Sequence, residues 1–113
     1  QMVVTPKFSG LKWQDLDGNT VLGETELQSL ILSGKVSNAA DVRDVFVHLN
    51  DEKVFYSANL NSNGDSPDQQ PDTEEFLFST LLELLPGKNQ ISVFSRNRYG
   101  FTAERRLRIL RRQ

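Results

Sequence analysis

The sequence predicts an all-β fold, an antiparallel sandwich of about seven strands. Three observations carry this. Residues alternate at period two in several stretches: Leu30, Leu32, Gly34 and Val36; Val45, Val47 and Leu49; Ile91, Val93 and Ser95. Turn-forming clusters separate such stretches at a spacing of roughly 10–15 residues. The chain has 113 residues and no cysteine, a length that buries one core without disulfide staples. The whole chain, 1–113, therefore reads as a single domain.

Residues 6–16 (PKFSGLKWQDL) form an extended lead-in with Phe8, Leu11 and Trp13 as its apolar residues. The run from Asp15 to Asn19 is a turn by composition. A strand follows over 27–36, with Leu30, Leu32, Gly34 and Val36 on one face. Residues 42–49 form the next, with Val45, Val47 and Leu49 on one side and Phe46 and His48 on the other. Asn50-Asp51-Glu52 is a tight connection to a hairpin partner over 53–58. Residues 57–75 read as a long polar loop with two prolines and one large apolar residue, Leu60.

Residues 74–85 (EEFLFSTLLELL) fit two periods. Phe76, Thr80, Leu81, Leu84 and Leu85 make a helical stripe that Thr73 could cap, while Phe76, Phe78, Thr80, Leu82 and Leu84 make a strand face. Pro86-Gly87 ends the segment either way. Residues 90–96 are a strand, 97–100 a turn, and 101–110 the last strand.

Composition excludes several chemistries. Without cysteine there is no thiol nucleophile and no Cys-ligated metal site. A single histidine, His48, excludes a multi-His site within one chain, and as an outward strand residue it reads as solvated. No apolar run approaches the ~20 residues of a membrane span, so no membrane insertion is expected. The sequence shows no signal-peptide pattern, and its polar start at Gln1-Met2 suggests a domain excised from a longer chain. Asp15-x-Asp17-Gly18-Asn19, with Glu26 at position 12 from Asp15, faintly matches calcium-loop spacing. Its glycine precedes the third ligand instead of following it, so a structural turn is the better reading. Asn61-x-Asn63-x-Asp65 is weaker still, with Ser66 in the glycine position. No cofactor or metal site is expected.

Charge is unevenly spread. Residues 1–95 carry six Lys/Arg against fourteen Asp/Glu, a net of −8, and residues 96–113 carry seven Arg against one Glu, a net of +6. In an alternating strand Leu107 and Ile109 point inward while Arg106, Arg108 and Leu110 point outward. Arginines there solvate a face or protect an edge, and docking on an acidic neighbour is the functional reading. Binding of nucleic acid is not expected. Arg96, Arg98, Tyr99, Arg106 and Arg108 are the candidate binding residues. Phe55, Tyr56, Phe94, Tyr99 and Phe101 are candidates for an aromatic patch, but Tyr99 and Phe101 flank a turn, and hydrophobic cover for a sheet end is the better reading.

Four stretches together carry a resemblance. They are Leu30-x-Leu32-x-Gly34-x-Val36, then residues 42–50 (VRDVFVHLN) with Lys53-Val54-Phe55-Tyr56. The third is Phe78-x3-Leu82-x-Leu84-x-Pro86-Gly87-x-Asn89-x-Ile91-x-Val93-x-Ser95-Arg96, and the fourth is residues 105–109 (RRLRI). The third resembles the signature of bacterial immunoglobulin-like sandwich modules. Taken together, over roughly residues 28–110, they resemble the C-terminal immunoglobulin-like domain of delta-proteobacterial tail-specific (carboxyl-terminal processing) serine proteases, which follows PDZ and protease domains. The resemblance implies that 74–85 is a strand with Phe76 and Phe78 inward. It implies a non-catalytic accessory module of the cell envelope, periplasmic or extracellular, that docks a protein, either the protease and PDZ domains of its own chain or a substrate. The family's catalytic Ser and Lys belong to another domain and match nothing here. The alternative is a carbohydrate-binding or adhesin-type module.

The predicted core is Leu30, Leu32, Val36, Val45, Val47, Leu49, Val54, Phe76, Phe78, Leu82, Leu84, Ile91, Val93, Leu107 and Ile109, with Trp13 at one end. Pro86-Gly87 supplies a turn with positive φ at the glycine, and the Asn89 side chain can close the corner on backbone groups. Gly34 permits close approach of a neighbour. Leu81 and Leu85 fall on the outward side, exposed or covered by a partner.

Overall fold

The computed structural model describes residues 5–59 and 75–112. Among them are nine strands: β1 Phe8–Gln14, β2 Thr20–Val21, β3 Glu24–Thr25, β4 Ser29–Ser37, β5 Val42–Leu49, β6 Glu52–Ala58, β7 Glu75–Glu83, β8 Gly87–Asn97 and β9 Thr102–Arg111. A single 3-10 turn, Ala39–Asp41, joins β4 to β5. The strands form a four-stranded sheet, β2-β1-β4-β7, and a five-stranded sheet, β3-β9-β8-β5-β6. The sequence expectation of about seven strands misses β2 and β3, which are two residues long and too short to show a period. Residues 74–85 resolve in favour of a strand, as the resemblance implies. Of the predicted polar loop 57–75, residues 57, 58 and 75 lie in strands, and 60–74, with Asn61, Asn63 and Asp65, fall outside the described residues.

The sheets bury one face each against the other. Trp13, Leu30, Leu32, Val36, Phe78, Leu82 and Leu84 come from the four-stranded side, and Val45, Val47, Leu49, Ile91, Val93 and Ile109 from the five-stranded side. Each large aliphatic side chain buried this way contributes about 1.5–3 kcal/mol. Phe76 and Leu107, predicted core, are only partly buried and pack on its margin. Val54 is a correction: it is exposed at 43%. The β5–β6 register jumps between Val47↔Phe55 and His48↔Lys53, so Val54 is the extra residue of a bulge and Phe55 turns inward in its place. Val42 joins the core for the same kind of reason, because a second irregularity separates it from Asp44.

Two local devices fix the packing, one at the β7–β8 corner and one within β4. Asn89, buried, accepts the Leu85 N–H at 2.9 Å and donates to the Leu85 carbonyl at 2.8 Å. It thereby satisfies the backbone at the β7–β8 corner, where Gly87 has φ +93°. The same Oδ1 accepts Asn50 Nδ2 at 3.0 Å, which ties this corner to the β5–β6 turn. Gly34 lies where an added Cβ would stand 2.5 Å from Leu11 Cδ2 and 2.9 Å from Phe78 Cζ, so the close approach predicted for it is present.

Candidate functional site

Strand alternation and register place one set of side chains on the outer face of the five-stranded sheet. Phe46 pairs with Tyr56 on β6 and Phe94 on β8, and Phe94 pairs with Glu104 on β9. His48 lies between Lys53 and Ser92, and Ser92 faces Arg106. Asp44 faces Arg96, and Gln90 faces Arg108. The outer face is thus an aromatic centre with cations on both sides.

The geometry is specific. Phe46 and Phe94 stack with centroids 4.8 Å apart and planes 13° from parallel. His48 packs at 5.7 Å from Phe46 and 5.1 Å from Phe94, so it is part of the aromatic cluster and not a freely solvated side chain as its outward position suggested. The Lys53 ammonium stands 5.2 Å from the Phe46 centroid and 4.8 Å from that of Tyr56, and the Arg96 guanidinium lies 5.3 Å from Phe46. Such contacts favour the cation over the ring face. Beneath them Asp44 is fully buried. It accepts Arg96 Nε at 2.9 Å and the Tyr56 hydroxyl at 2.9 Å, with Arg96 Nη2 on its second oxygen. Burial alone would raise the Asp44 pKa, but the Arg96 and Tyr56 hydrogen bonds and the Arg96 charge outweigh it and hold the carboxyl below its ordinary range.

Of the predicted binding residues, Arg96, Arg106 and Arg108 share this face. Arg98 and Tyr99 belong to the β8–β9 turn, where the Arg98 guanidinium lies 5.3 Å from the Tyr99 ring. The terminal arginines are less available than the sequence polarity suggests. Arg98 reaches Asp41 at 3.8 Å, Arg106 reaches Glu104 at 3.0 Å, and Arg112 reaches Glu24 at 3.9 Å and Glu26 at 3.7 Å. Arg111 Nη1 donates to the Leu84 carbonyl at 3.0 Å. The +6 segment meets single acids because β8 pairs with β5, which carries Asp44, and the end of β9 with β3, which carries Glu24. β9 is bordered there by β3 and is open over its remaining length among the described residues.

The aromatic expectations are partly redrawn. Tyr56 and Phe94 lie on the outer face, Phe55 turns inward, and Tyr99 and Phe101 sit at the β8–β9 turn, which they flank in the sequence. Phe46 was legible as an outward strand residue but not as the stacking partner of Phe94, because cross-strand register is not readable from one strand. The Asp15 loop is a backbone turn: one carboxylate oxygen accepts the N–H of Asp17 at 2.9 Å and of Asn19 at 2.8 Å. The Asn19 N–H in particular holds the Asp15 carboxyl below its ordinary range. Glu26 points to Arg112 instead of joining it. Among the described residues no three His, Asp or Glu side chains converge as metal ligands do.

No family model matches the chain, and no curated protein matches it significantly. A solved structure of Clostridium thermocellum CbhA fibronectin(III)-like modules is similar to it, with a TM-score of 0.58 at 13% identity. That match covers 100% of this chain and 50% of the other, so the chain spans half the length of that neighbour. The likeness is one of fold: the chain is an immunoglobulin-like β-sandwich.

Proposed function

We propose that this domain is a non-catalytic accessory module that docks an acidic protein surface on the outer face of its five-stranded sheet. The observation that carries the reading is the stacked Phe46–Phe94 pair flanked by Lys53, Tyr56 and Arg96. Interface centres are enriched in aromatics and arginine, and this face offers both in a rigid, cross-strand-locked arrangement. Its two central acids, Asp44 and Glu104, are already paired with Arg96 and Arg106. Lys53 and Arg108 have no ion pair among the described residues, so the face attracts an acidic partner. The four-stretch resemblance supports a tail-specific serine protease of the cell envelope as the parent, with its protease and PDZ domains as the docking partner.

The test is a titration of this domain against the protease–PDZ core at low and moderate salt. Binding that weakens with salt supports the reading, because exposed charge pairs are screened. Absence of binding at both salts, together with unchanged proteolysis when the domain is deleted, contradicts it. The same aromatics could stack on sugar rings, which is the second reading. A glycan array separates the two: signal lost in Phe94→Ala favours the sugar, and silence removes it.

A further inference from the structure

The two long borders of a sandwich are not equivalent here. Among the described residues β7 ends the four-stranded sheet with no strand on its outer side. It pairs with β4 without a break from Ser29↔Glu83 to Ser37↔Glu75. The Leu84 N–H donates to the Gln28 carbonyl, one step beyond that ladder. Antiparallel alternation then directs the N–H and C=O groups of Phe76, Phe78, Thr80 and Leu82 toward β4. Those of Glu75, Leu77, Ser79, Leu81 and Glu83 point to the open side. The usual guards of an edge are bulges, proline and lysine, and β7 has none of the three. The end strand of the other sheet on the same side, β6, has both a bulge and Lys53.

The same five residues point their side chains outward. Read along the strand they are Glu75, Leu77, Ser79, Leu81 and Glu83, a palindrome about Ser79. Leu77 is 66% exposed and Leu81 52%. In a two-fold pairing of two β7 strands, the register that sets Leu77 against Leu81 also sets Glu75 against Glu83, twice. Like charges directly opposite destabilise a strand pair. A shift of two residues relieves the charges but loses the leucine matches. Lys35, 3.6 Å from Glu75, compensates one acid of each pair and leaves Glu83 without an ion pair among the described residues.

We propose that the open edge of β7 is a strand-addition site for an extended segment of a different protein, one with alternating apolar residues between basic ends. Glu83, and Glu75 whose 3.6 Å contact with Lys35 is an exposed and therefore weak pair, select the basic ends and exclude a second copy of this chain. The backbone of Leu77, Ser79 and Leu81 supplies affinity, and the two leucines supply the apolar match. This is independent of the docking face, which lies on the outer side of the other sheet.

The experiment is an NMR titration of the whole 113-residue chain with a lysine-ended valine/threonine peptide of the same length as β7. A glutamate-ended version and a version with a central proline are the controls. The proposal expects new hydrogen-exchange protection at Leu77, Ser79 and Leu81, binding about tenfold tighter than the glutamate-ended peptide, and none by the proline version. Perturbations elsewhere, or equal binding of the two charge versions, overturn it. A second arm compares native protein with a Glu75→Gln/Glu83→Gln variant by sedimentation. Self-association gained only in the variant supports the exclusion of a second copy. Self-association of the native protein through β7, or none in the variant, overturns that exclusion.

Discussion

Asp44 and Arg96 face each other across β5 and β8 and close a two-pronged ion pair on the outside of the sheet, with Nε–Oδ1 at 2.9 Å and Nη2–Oδ2 at 2.5 Å. The carboxylate is wholly buried while the Arg96 side chain remains 38% exposed. A buried charge without its partner is costly, so the pair is more than a surface salt bridge. It also holds Arg96 over the Phe46 ring. Stability and the docking face therefore share one residue.

Arg96→Leu leaves the Asp44 carboxylate buried with Tyr56 as its remaining side-chain donor. Discounted for the partial exposure of Arg96, the expected loss is about 2–3 kcal/mol, read by urea denaturation. Tyr56→Phe removes one neutral-to-charged hydrogen bond and is expected to lose about 1–2 kcal/mol.

The acid limb of stability follows from the same pair. The Asp44 pKa is lowered in the fold. Its contribution is therefore full above the ordinary carboxylate pKa of about 3.9. It disappears as pH falls through the lower folded value. Asp44→Asn is expected to be less stable at neutral pH and to lose less on acidification. The limb does not vanish, because Asp15 is lowered too. Thermal melts of both proteins between neutral pH and strong acid check this, and parallel curves contradict it.

Gly34→Ala puts a methyl group against Leu11 and Phe78 at the distances of a clash. The expected cost is about 1–3 kcal/mol. Leu11→Ala in the same chain opens space on one side, so the double variant is expected to lose less than the two single losses added. Additive losses in chemical denaturation contradict the packing account.

Asn89→Ala strips the Leu85 N–H and carbonyl of their side-chain partner at the β7–β8 corner. Part-buried backbone groups left without this partner, together with the lost packing of the buried Asn89 side chain, make this about a 1–2 kcal/mol loss. Faster amide exchange at Leu85 and Gln90 accompanies it, because Asn50 bridges the Asn89 side chain and the Gln90 N–H.

Features set by a residue and its near neighbours were legible in the sequence. The inward rows of β4, β5 and β8, the positive φ of Gly87 and the Asn89 corner all follow from local pattern. Features set by register were not. A bulge shifts β6 by one residue, which exchanges Val54 for Phe55 in the core, and nothing in the composition of that strand announces it. The stacking of Phe46 on Phe94 and the burial of Asp44 under Arg96 join strands about fifty residues apart. The charge polarity, −8 over residues 1–95 and +6 over 96–113, is legible by counting. Pairing of β8 with β5 and of β3 with β9 then brought its opposite ends together.

The most direct test of the docking account is a chemical-shift map of this domain on addition of the protease–PDZ core at two salt concentrations. The account predicts perturbations centred on Phe46, His48, Tyr56 and Phe94, weaker at higher salt, with binding reduced about thirtyfold by Phe94→Ala. A map centred on any other surface, or no perturbation at either salt, contradicts it.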